Sequence, residues 1–440
     1  MPSRFTRGVR LALAGALALG TSTVLVTTGT GVAEAAPCGN AGNGSSFLGL
    51  GSSGSAGSSS GPETGPQGAL PFYSGTISRV LSWVTGPRSV NDTYDRFGIS
   101  GTDLGIAWDN GSGQTLMAFG DTFGNCRAAN QEWRHNVLLR TDDDDFTDGK
   151  LTVPDGVAGD STSGTVIRDR ADFAAELIPS LGISNVEVTT IPTAAIALPH
   201  GNGFRQYINY MSVRSWGTAG NWVTNFSGIA WSDDNGQSWH TDPSTVLINS
   251  PLPVSLALPG DLRPVEYNNG KFQQSAYMRG RPGTDEAGYV YQFGTPNGRF
   301  GAAFLARFAP GDILDLDRYE YWAGRDRGWV DDIADIPDDG SAIVVKQPVT
   351  ELSVAWSPYL KKYIMLDGDN GVRLRTADHP EGPWSPPRYI VAPNTVVVYG
   401  PMMLPSSPAL KGDSSGLLYF NASRWSDYNV MLIRSDLGKL

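Results

Sequence analysis

The sequence is poor in the residues that build metal sites and in motifs for phosphate chemistry. It has four histidines in 440 residues, at positions 135, 200, 240 and 379, and none has the spacing of a zinc-binding pair. It also lacks a glycine-rich loop that ends in Gly-Lys-Ser or Gly-Lys-Thr, so phosphate chemistry is not expected. We therefore expect no metal and no cofactor.

Positive charge is scarce as well. Lysine and arginine number 33 against 44 aspartates and glutamates, a net charge of −11. Nucleic acids and anionic membranes both favour a basic face, so neither is expected as a partner. After its start the chain has no apolar run of about 20 residues, the length that a spanning helix needs.

The N-terminus carries a secretory pattern. Three arginines, at positions 4, 7 and 10, precede an apolar run over 11–19 and a cleavage-type Ala33-Glu34-Ala35. We interpret residues 1–35 as a signal peptide and expect a secreted, extracellular protein. Pro37 stands before Cys38 where a lipoprotein signal would have a small residue, so no lipid anchor is expected.

Cysteine is nearly absent, since Cys38 and Cys126 are the two in the chain. In an oxidising compartment a pair is more often a disulfide than two free thiols, so we expect these residues to be joined. Residues 36–70 are dominated by glycine and serine, which predicts a flexible linker.

From residue 71 to 440 the chain consists of short β-type runs separated by Gly, Pro, Asn and Asp. The predicted strands are GIAWD, LMAFGD, FRQYINYMSV, SGIAWS, GYVYQFG, AAFLARF, AIVVK, KKYIMLDG, VRLRTA, GLLYFNA and NVMLIRS. So many strands exceed one sandwich and favour an all-β propeller. Five blades of about 70 to 75 residues use the length, although blades of about 40 to 50 residues would allow more. One short helix is predicted, over Asp169 to Leu181.

An internal repeat points to turns rather than to chemistry. Gly105-Ile106-Ala107-Trp108 recurs as Gly228-Ile229-Ala230-Trp231, and the second copy continues into Ser232 to Trp239, SDDNGQSW. This string resembles the Asp-box of sialidases and other propellers. Its aspartate can cap backbone amides and its glycine can take a positive φ, so we predict a structural hairpin turn.

Two aspartates flank another hairpin signal. Asn110-Gly111 and Gly113 predict a tight turn centred on Ser112, which makes residues whose numbers sum to 224 face each other. Asp103 and Asp121 satisfy that sum, and facing residues hold their Cβ atoms roughly 4.5 to 5.5 Å apart. A register that is off by one, or aspartates that each cap their own turn, are the alternatives that the residues leave open.

Paired carboxylates suit glycoside hydrolysis, in which one donates a proton and the other acts as base or nucleophile. Their proximity would separate their pKa values and provide an acid and a base at one pH. Glu351 leads another strand run and is a third candidate acid, with a solvated strand end as the alternative.

Sugar binding also needs aromatic platforms and planar hydrogen-bonding groups. Loops in which an aromatic residue stands beside Arg or Asn supply the candidates, although a single tryptophan is more often core than ligand platform. The predicted substrate-binding residues are Trp133, Asn136, Arg214, Trp216, Asn225, Asn297, Arg299 and Trp425.

Several of these strings, taken in order, resemble the secreted actinobacterial proteins of domain of unknown function 4185, or glycoside hydrolase family 183, the endo-D-arabinanases. The resemblance runs from about Val84 to Leu437 through TDLGIAWD, AFGDTFG, WRHNVL, IPTAAIAL, YMSVRSWG, GIAWSDDNGQSW, YQFGTPNGRFGAAFLAR, ELSVAW, RTADHPEGPWS and RWSDYNVMLIRS. The sequence departs from the pattern at His135, where relatives have a small polar residue, and at Ala194-Ala195, where glycines are common.

The resemblance implies a five-bladed propeller that cleaves internal α-1,5 linkages between D-arabinofuranosyl units of mycobacterial arabinogalactan and lipoarabinomannan. The family's acidic pair falls on Asp103 and Asp121, and Glu351 corresponds to a third acid or a substrate ligand. The expected partner is a cell-wall polysaccharide, with the protein acting as a monomer outside the cell, at the cell wall. Two other hypotheses remain: a non-catalytic carbohydrate-binding propeller, and a sialidase-like enzyme suggested by the Asp-box.

Overall fold

The computed structural model describes Cys38 and residues 62–183, 186–249, 266–368 and 370–440. The predicted signal peptide and most of the predicted linker lie outside these residues. The last part of the predicted linker packs against the fold, because Gln67 is buried and its Nε2 donates to the Thr85 carbonyl at 2.9 Å. Cys38 is joined to Cys126 by a disulfide, with a Cα–Cα distance of 5.4 Å.

The strands form five antiparallel sheets. Strand β1 (Ser78–Trp83) belongs to the last of them. The first sheet contains β2 (Leu104–Asp109), β3 (Thr115–Phe119) and β4 (Val137–Thr141). The second contains β5 (Thr189–His200), β6 (Gly203–Trp216), β7 (Trp222–Ser232), β8 (His240–Thr241) and β9 (Leu247–Ile248). The third contains β10 (Gln274–Arg279), β11 (Val290–Thr295), β12 (Phe304–Phe308), β13 (Glu320–Trp322) and β14 (Trp329–Val330).

The fourth sheet contains β15 (Ser353–Ser357), β16 (Lys362–Asp367), β17 (Val372–Ala377) and β18 (Arg388–Val391). The fifth contains β19 (Val398–Met403), β20 (Leu417–Arg424) and β21 (Asn429–Asp436), and β1 pairs with β21 at its outer side. One sheet is thus built from both ends of the domain, which closes a ring without leaving a free seam. The predicted five-bladed propeller is confirmed.

The first strand of each blade lies at the axis. Strand β2 lies beside β5, β5 beside β10, β10 beside β15, β15 beside β19, and β19 beside β2. Apolar clusters fill the spaces between successive blades, and each cluster combines residues of two sheets. Examples are Leu116 with Ile208, Tyr207 with Phe308, Phe293 with Met365, Leu366 with Phe420, and Phe119 with Leu432. This ring of packed sheets brings five strand ends together at one mouth.

Helices are few and short in the described residues. The α-helices are α1 (Thr93–Phe97) and α2 (Pro408–Lys411). Short 3-10 segments occupy Ala129–Glu132, Pro243–Thr245, Tyr267–Phe272, Asp285–Gly288, Pro310–Asp312, Leu316–Arg318, Ile333–Asp335 and Leu437–Lys439. None of the helices in the part that the structure describes is long and apolar enough to cross a membrane.

The predicted helix over Asp169 to Leu181 is wrong. This segment is irregular, and its contacts lie outside it: Ala174 forms a bridge with Ile167, and the Phe173 ring lies 4.0 Å from the Arg134 guanidinium. Asn136 binds the amides of the segment's end through Oδ1, at 2.8 Å for Ile178. Tertiary hydrogen bonds have replaced those that a helix would make.

The repeated Gly-Ile-Ala-Trp string does not mark equivalent blade positions. Its first copy lies in β2, the inner strand of one blade, whereas its second lies in β7, the third strand of the next. The Asp-box after the second copy is the structural turn that was predicted. Asp234 Oδ1 accepts from the Ser238 amide at 2.9 Å, and Trp239 Nε1 donates to the Gly236 carbonyl at 3.1 Å.

Candidate active site

The hairpin between β2 and β3 turns where the sequence predicts. Asn110 Oδ1 accepts from the amides of Ser112 and Gln114 at 2.7 and 3.0 Å, and Gly111 and Gly113 have φ of 80° and 94°. The strand register pairs Asp109 with Thr115, which centres the turn on Ser112. The local chemistry of asparagine and glycine is therefore sufficient to place this turn.

Beyond that turn a bulge changes the register before it reaches the aspartates. Leu104 and Gly105 have φ of 70° and 74°, and Leu104 pairs with Phe119. The Asp103 carbonyl accepts from the Gly120 amide at 3.2 Å, one residue short of the predicted partner Asp121, and the predicted register resumes at the bridge between Gly101 and Phe123. A positive φ is uncommon for leucine and strains the backbone. The bulge re-aims Asp103, as bulges beside active sites do.

Asp103 is half-buried, and its two oxygens differ. Oδ2 accepts from the Tyr399 hydroxyl at 3.0 Å, whereas Oδ1 is shielded from solvent and receives no hydrogen bond within the described residues. A Cβ at Gly120 would lie 2.5 Å from Oδ1, so glycine is needed there. Burial, together with the charge of Asp121, raises the pKa of Asp103 to about 7, against the opposing effect of Tyr399.

Asp121 is buried, with 5 % of its surface exposed, and is better hydrogen-bonded. Its Oδ1 accepts from Thr189 Oγ1 at 2.6 Å and from Trp133 Nε1 at 2.9 Å. Burial raises the pKa of Asp121 to about 6, and these two hydrogen bonds limit the rise because they favour the charged form. The two carboxyl groups are thus held in different environments.

Both carboxyl groups line one pocket at the axis, and every blade contributes to its wall. Representative lining residues are Asp103, Thr193, Gln274, Glu351 and Tyr399, one from each blade in order. The pocket has about 790 Å³ of space, counting the part that is open to solvent. The convergence of polar groups within an otherwise apolar wall is typical of ligand sites.

Glu351 lies in the same pocket but is not a free acid. Both of its oxygens accept from Arg299, at 3.0 Å for Nε to Oε2 and through a second bond from Nη2 to Oε1. The Arg299 guanidinium also lies over aromatic rings, 4.6 Å from the Trp425 centroid and 5.0 Å from that of Tyr399. A bidentate pair fixes the direction of both partners. Glu351 therefore holds Arg299 against the wall beside Asp103.

Three of the predicted substrate-binding residues line this pocket: Trp216, Arg299 and Trp425. Trp133 is placed behind it, where it donates to Asp121. Asn297 lies in the adjoining loop and donates to the Trp222 carbonyl. Arg214 is half-buried, and its Nε donates to Asn225 at 2.7 Å.

Two predicted ligands are structural amides instead. Asn136 is fully buried and donates to the carbonyls of Ile178 and Thr190, both at 2.9 Å. Asn225 is also fully buried and donates to the Val186 carbonyl at 2.7 Å. Buried amides must satisfy their hydrogen bonds, and here the neighbouring backbone does so, which removes both residues from substrate contact.

Sequence reasoning missed Tyr399 and Thr189, and from the loop Trp222-Val223-Thr224-Asn225 it selected Asn225 and not Trp222. Tyr399 stands in the apolar run VVVYGPMML, where one hydroxyl among aliphatic residues was the available signal. Trp222 lines the pocket and packs edge-on against Trp216, with centroids 5.7 Å apart. Thr189 begins β5 and had no distinguishing neighbour in the sequence.

The chain matches a family model described as domain of unknown function (DUF4185) over residues 88–434. Among curated proteins it is 25 % identical over 345 residues to notoamide biosynthesis cluster protein J of Aspergillus sp. (strain MF297-2), covering 75 % of this chain and 81 % of that protein.

Two solved structures are also similar. A glycosyl hydrolase from Bacteroides ovatus has a TM-score of 0.43 at 11 % identity, covering 86 % of this chain and 97 % of that one. The arabinanase Arb43A of Bacillus subtilis has a TM-score of 0.39 at 11 % identity, covering 76 % and 96 %. At these scores the pocket residues, and not the neighbours, must carry any functional inference.

Proposed function

The chain belongs to the DUF4185 family, and we propose that its axial pocket is the active site of a glycoside hydrolase. The observation that carries the proposal is the pair of unlike carboxyl groups in one pocket. One has a buried oxygen without a hydrogen bond among the described residues, and the other accepts two. Glycosidases need one carboxylic acid and one carboxylate on either side of the scissile bond.

Asp103 suits the role of general acid. Its pKa of about 7 keeps a large fraction protonated near neutral pH, and the residue lines the pocket, so its carboxyl group can donate a proton to the leaving oxygen of a bound substrate. Asp121, with a pKa of about 6, is ionised earlier as the pH rises and serves as the base or nucleophile. The neighbouring negative charge of Asp121 also favours the protonated form of Asp103.

We propose further that the substrate is D-arabinan of mycobacterial arabinogalactan and lipoarabinomannan, cut at internal α-1,5 linkages by a secreted enzyme. This finer assignment rests on the resemblance carried by TDLGIAWD, AFGDTFG and the strings that follow them. The aromatic wall formed by Trp216, Trp222 and Trp425 supports it, since sugar rings pack on such surfaces. The predicted N-terminal signal supports secretion.

The test is to incubate the exported protein with purified arabinogalactan and separate the products by size. An endo-acting enzyme yields a ladder of oligosaccharides from the first minutes, whereas an exo-acting one releases a single small product. The anomer formed first, followed by proton NMR, distinguishes a nucleophilic from a basic role for Asp121.

Asp103→Asn and Asp121→Asn should each remove the ladder. Asp109→Asn is the matched control, because Asp109 is an exposed aspartate of the same hairpin that caps Gly111 at 2.8 Å. Full activity in both site variants would refute the acidic pair. Binding of arabinogalactan by the wild type without product would support the carbohydrate-binding alternative.

A further inference from the structure

A second layer of side chains lies behind Asp121, and His135 is at its centre. His135 Nδ1 is 3.1 Å from Thr189 Oγ1, and its ring packs edge-on against Trp133 with centroids 4.5 Å apart. Thr189 and Trp133 are the two residues that donate to Asp121 Oδ1. His135 therefore contacts both donors without being one itself.

The chemistry of the threonine hydroxyl fixes the direction of this chain. A hydroxyl has one proton, and when Asp121 is ionised Thr189 must donate that proton to it. The remaining hydroxyl lone pairs can then accept only, so His135 donates to Thr189 from a protonated Nδ1. Such a chain of bonds polarises each member and strengthens the bond at its end.

Glu176 holds the other side of the histidine. Its Oε2 accepts the backbone amide of His135 at 2.9 Å and lies 3.9 Å from the ring Nε2. The imidazole is thus held between a carboxylate and a hydroxyl, with the Trp133 ring against it. Three separate contacts orient a group that is itself 18 % exposed.

We propose that His135 is a positioning residue that orients Asp121 through Thr189 and Trp133 for its part in glycosidic cleavage, an inference that rests on the proposed function. By holding both donors, His135 keeps Oδ1 occupied and leaves Oδ2 as the oxygen for the reaction. A carboxylate that is hydrogen-bonded on one oxygen keeps one orientation, so its other oxygen is already positioned to act as base or nucleophile.

The charges around Asp121 indicate how its pKa should change when the hydrogen bonds through Thr189 and His135 are lost. His135 and the two hydrogen bonds lower the pKa of Asp121, whereas burial and the carboxylate of Glu176 raise it. Asp103 and Tyr428 line the same pocket and are further titratable groups whose charges interact with Asp121. Removing the hydrogen bonds from His135 to Thr189 and from Thr189 to Asp121 should raise the pKa of Asp121. The acidic limb of the pH–activity profile should therefore move to higher pH.

The experiment compares four variants in the exported protein. Thr189→Val removes the hydroxyl at nearly constant volume, and Thr189→Ser keeps it. His135→Phe keeps a ring against Trp133 but removes the donor, whereas His135→Asn places an amide donor close to the position of Nδ1. Unchanged thermal midpoints establish that each variant folds.

We expect kcat to fall on the order of tenfold in Thr189→Val, the change that loss of one hydrogen bond to a charged group produces. The fall should be smaller in His135→Phe, which removes a bond to the Thr189 hydroxyl. KM should stay the same, because Oδ1 is already occupied by Thr189 and Trp133, neither of which lines the pocket. Thr189→Ser and His135→Asn should restore kcat and the wild-type acidic limb. A carbon-13 NMR titration of the Asp121 carboxyl should show the same order of pKa values.

A wild-type profile and titration in His135→Phe would overturn the proposal, and so would equal losses in His135→Asn and His135→Phe. These outcomes are separate from the proposed function. If Asp121→Asn retains cleavage, the proposed function fails, and the NMR titration then tests whether His135 controls this carboxyl group independently of activity.

Discussion

Two hairpins in neighbouring blades each contain an aspartate, but the pKa values of the two aspartates are shifted in opposite directions. The turn over Ser232 to Trp239 binds its own aspartate, because Asp234 accepts from Ser238 through both the amide and the hydroxyl. Burial opposes ionisation of Asp234, but the hydrogen bonds from Ser238 and Ser232 outweigh it and hold its pKa below the ordinary value. Asp103, at the foot of the β2–β3 hairpin, has a raised pKa.

The difference lies in position, not in composition. Asp234 is exposed, and its own turn supplies the donors. Asp103 lies at the axis, where five strand ends converge and the adjacent charge is another carboxylate. A carboxyl group whose hydrogen bonds come from its own turn acts as a structural cap. A carboxyl group with fewer hydrogen bonds and a like charge beside it has a raised pKa and is a candidate for acid–base chemistry.

The largest expected effect is a difference in kcat between a variant at Asp103 in the first hairpin and a variant at Asp234 in the second. Asp103→Asn should lower kcat by about 10² to 10⁴-fold, the contribution typical of general acid catalysis. Asp234→Asn should leave kcat unchanged, because Asp234 does not line the pocket. Initial rates on arabinogalactan give the kcat of both variants. Comparable losses of kcat in the two variants would show that Asp103 and Asp234 do not differ in role.

The second prediction concerns stability as a function of pH. The pKa of Asp103 in the folded chain is about 7, above its ordinary 3.8, so the stability linked to this group is present below pH 3.8 and is lost as pH rises through 7. Asp103→Asn should therefore raise the thermal midpoint relative to wild type at pH 8, and the gain should disappear at pH 4. An equal gain at both pH values would mean that charge burial is not the cause.

A substitution at Tyr399 tests whether Asp103 is the general acid of the site. Its hydroxyl donates to Asp103 and lowers the pKa of that carboxyl group, so Tyr399→Phe should raise it. The basic limb of the activity profile should move to higher pH, and the acidic limb should stay in place. Tyr389→Phe, at an exposed tyrosine, is the control. A basic limb that does not move would remove Asp103 as the acid.

The smallest effect is expected at the structural turn. Asp234→Ala removes the acceptor for Ser238 and should lower the free energy of unfolding by about 1 kcal/mol, the net value of an ordinary hydrogen bond. Urea denaturation measures this loss of stability, with Asp109→Asn as the control. A loss of activity at unchanged stability would contradict a purely structural role.

Several blade strands with alternating, β-branched sequence were predictable, whereas the inner strands β5, β10 and β19 were not. The predicted list includes segments of β6, β7, β16 and β21 but omits β5, β10 and β19. Strand β5 contains Pro192 and Pro199, and β19 contains Gly400 and Pro401. Inner strands border the channel on one side, so they tolerate proline at bulges, and their small side chains erase the usual pattern. The predicted strand AIVVK is reduced to one bridge at Val345.

The sequence by itself determined the turns and the blades. Asn110-Gly111 and the Asp-box specify their conformations through bonds between near neighbours, which local sequence contains. Only the tertiary structure decided which acids line the axial pocket. The bulge at Leu104 and Gly105, the hydroxyl of Tyr399 nearly 300 residues away, and the Arg299–Glu351 pair all arise from packing between blades. The ionisation of a carboxyl group depends on that distant environment, because burial and charge act through space and not along the chain.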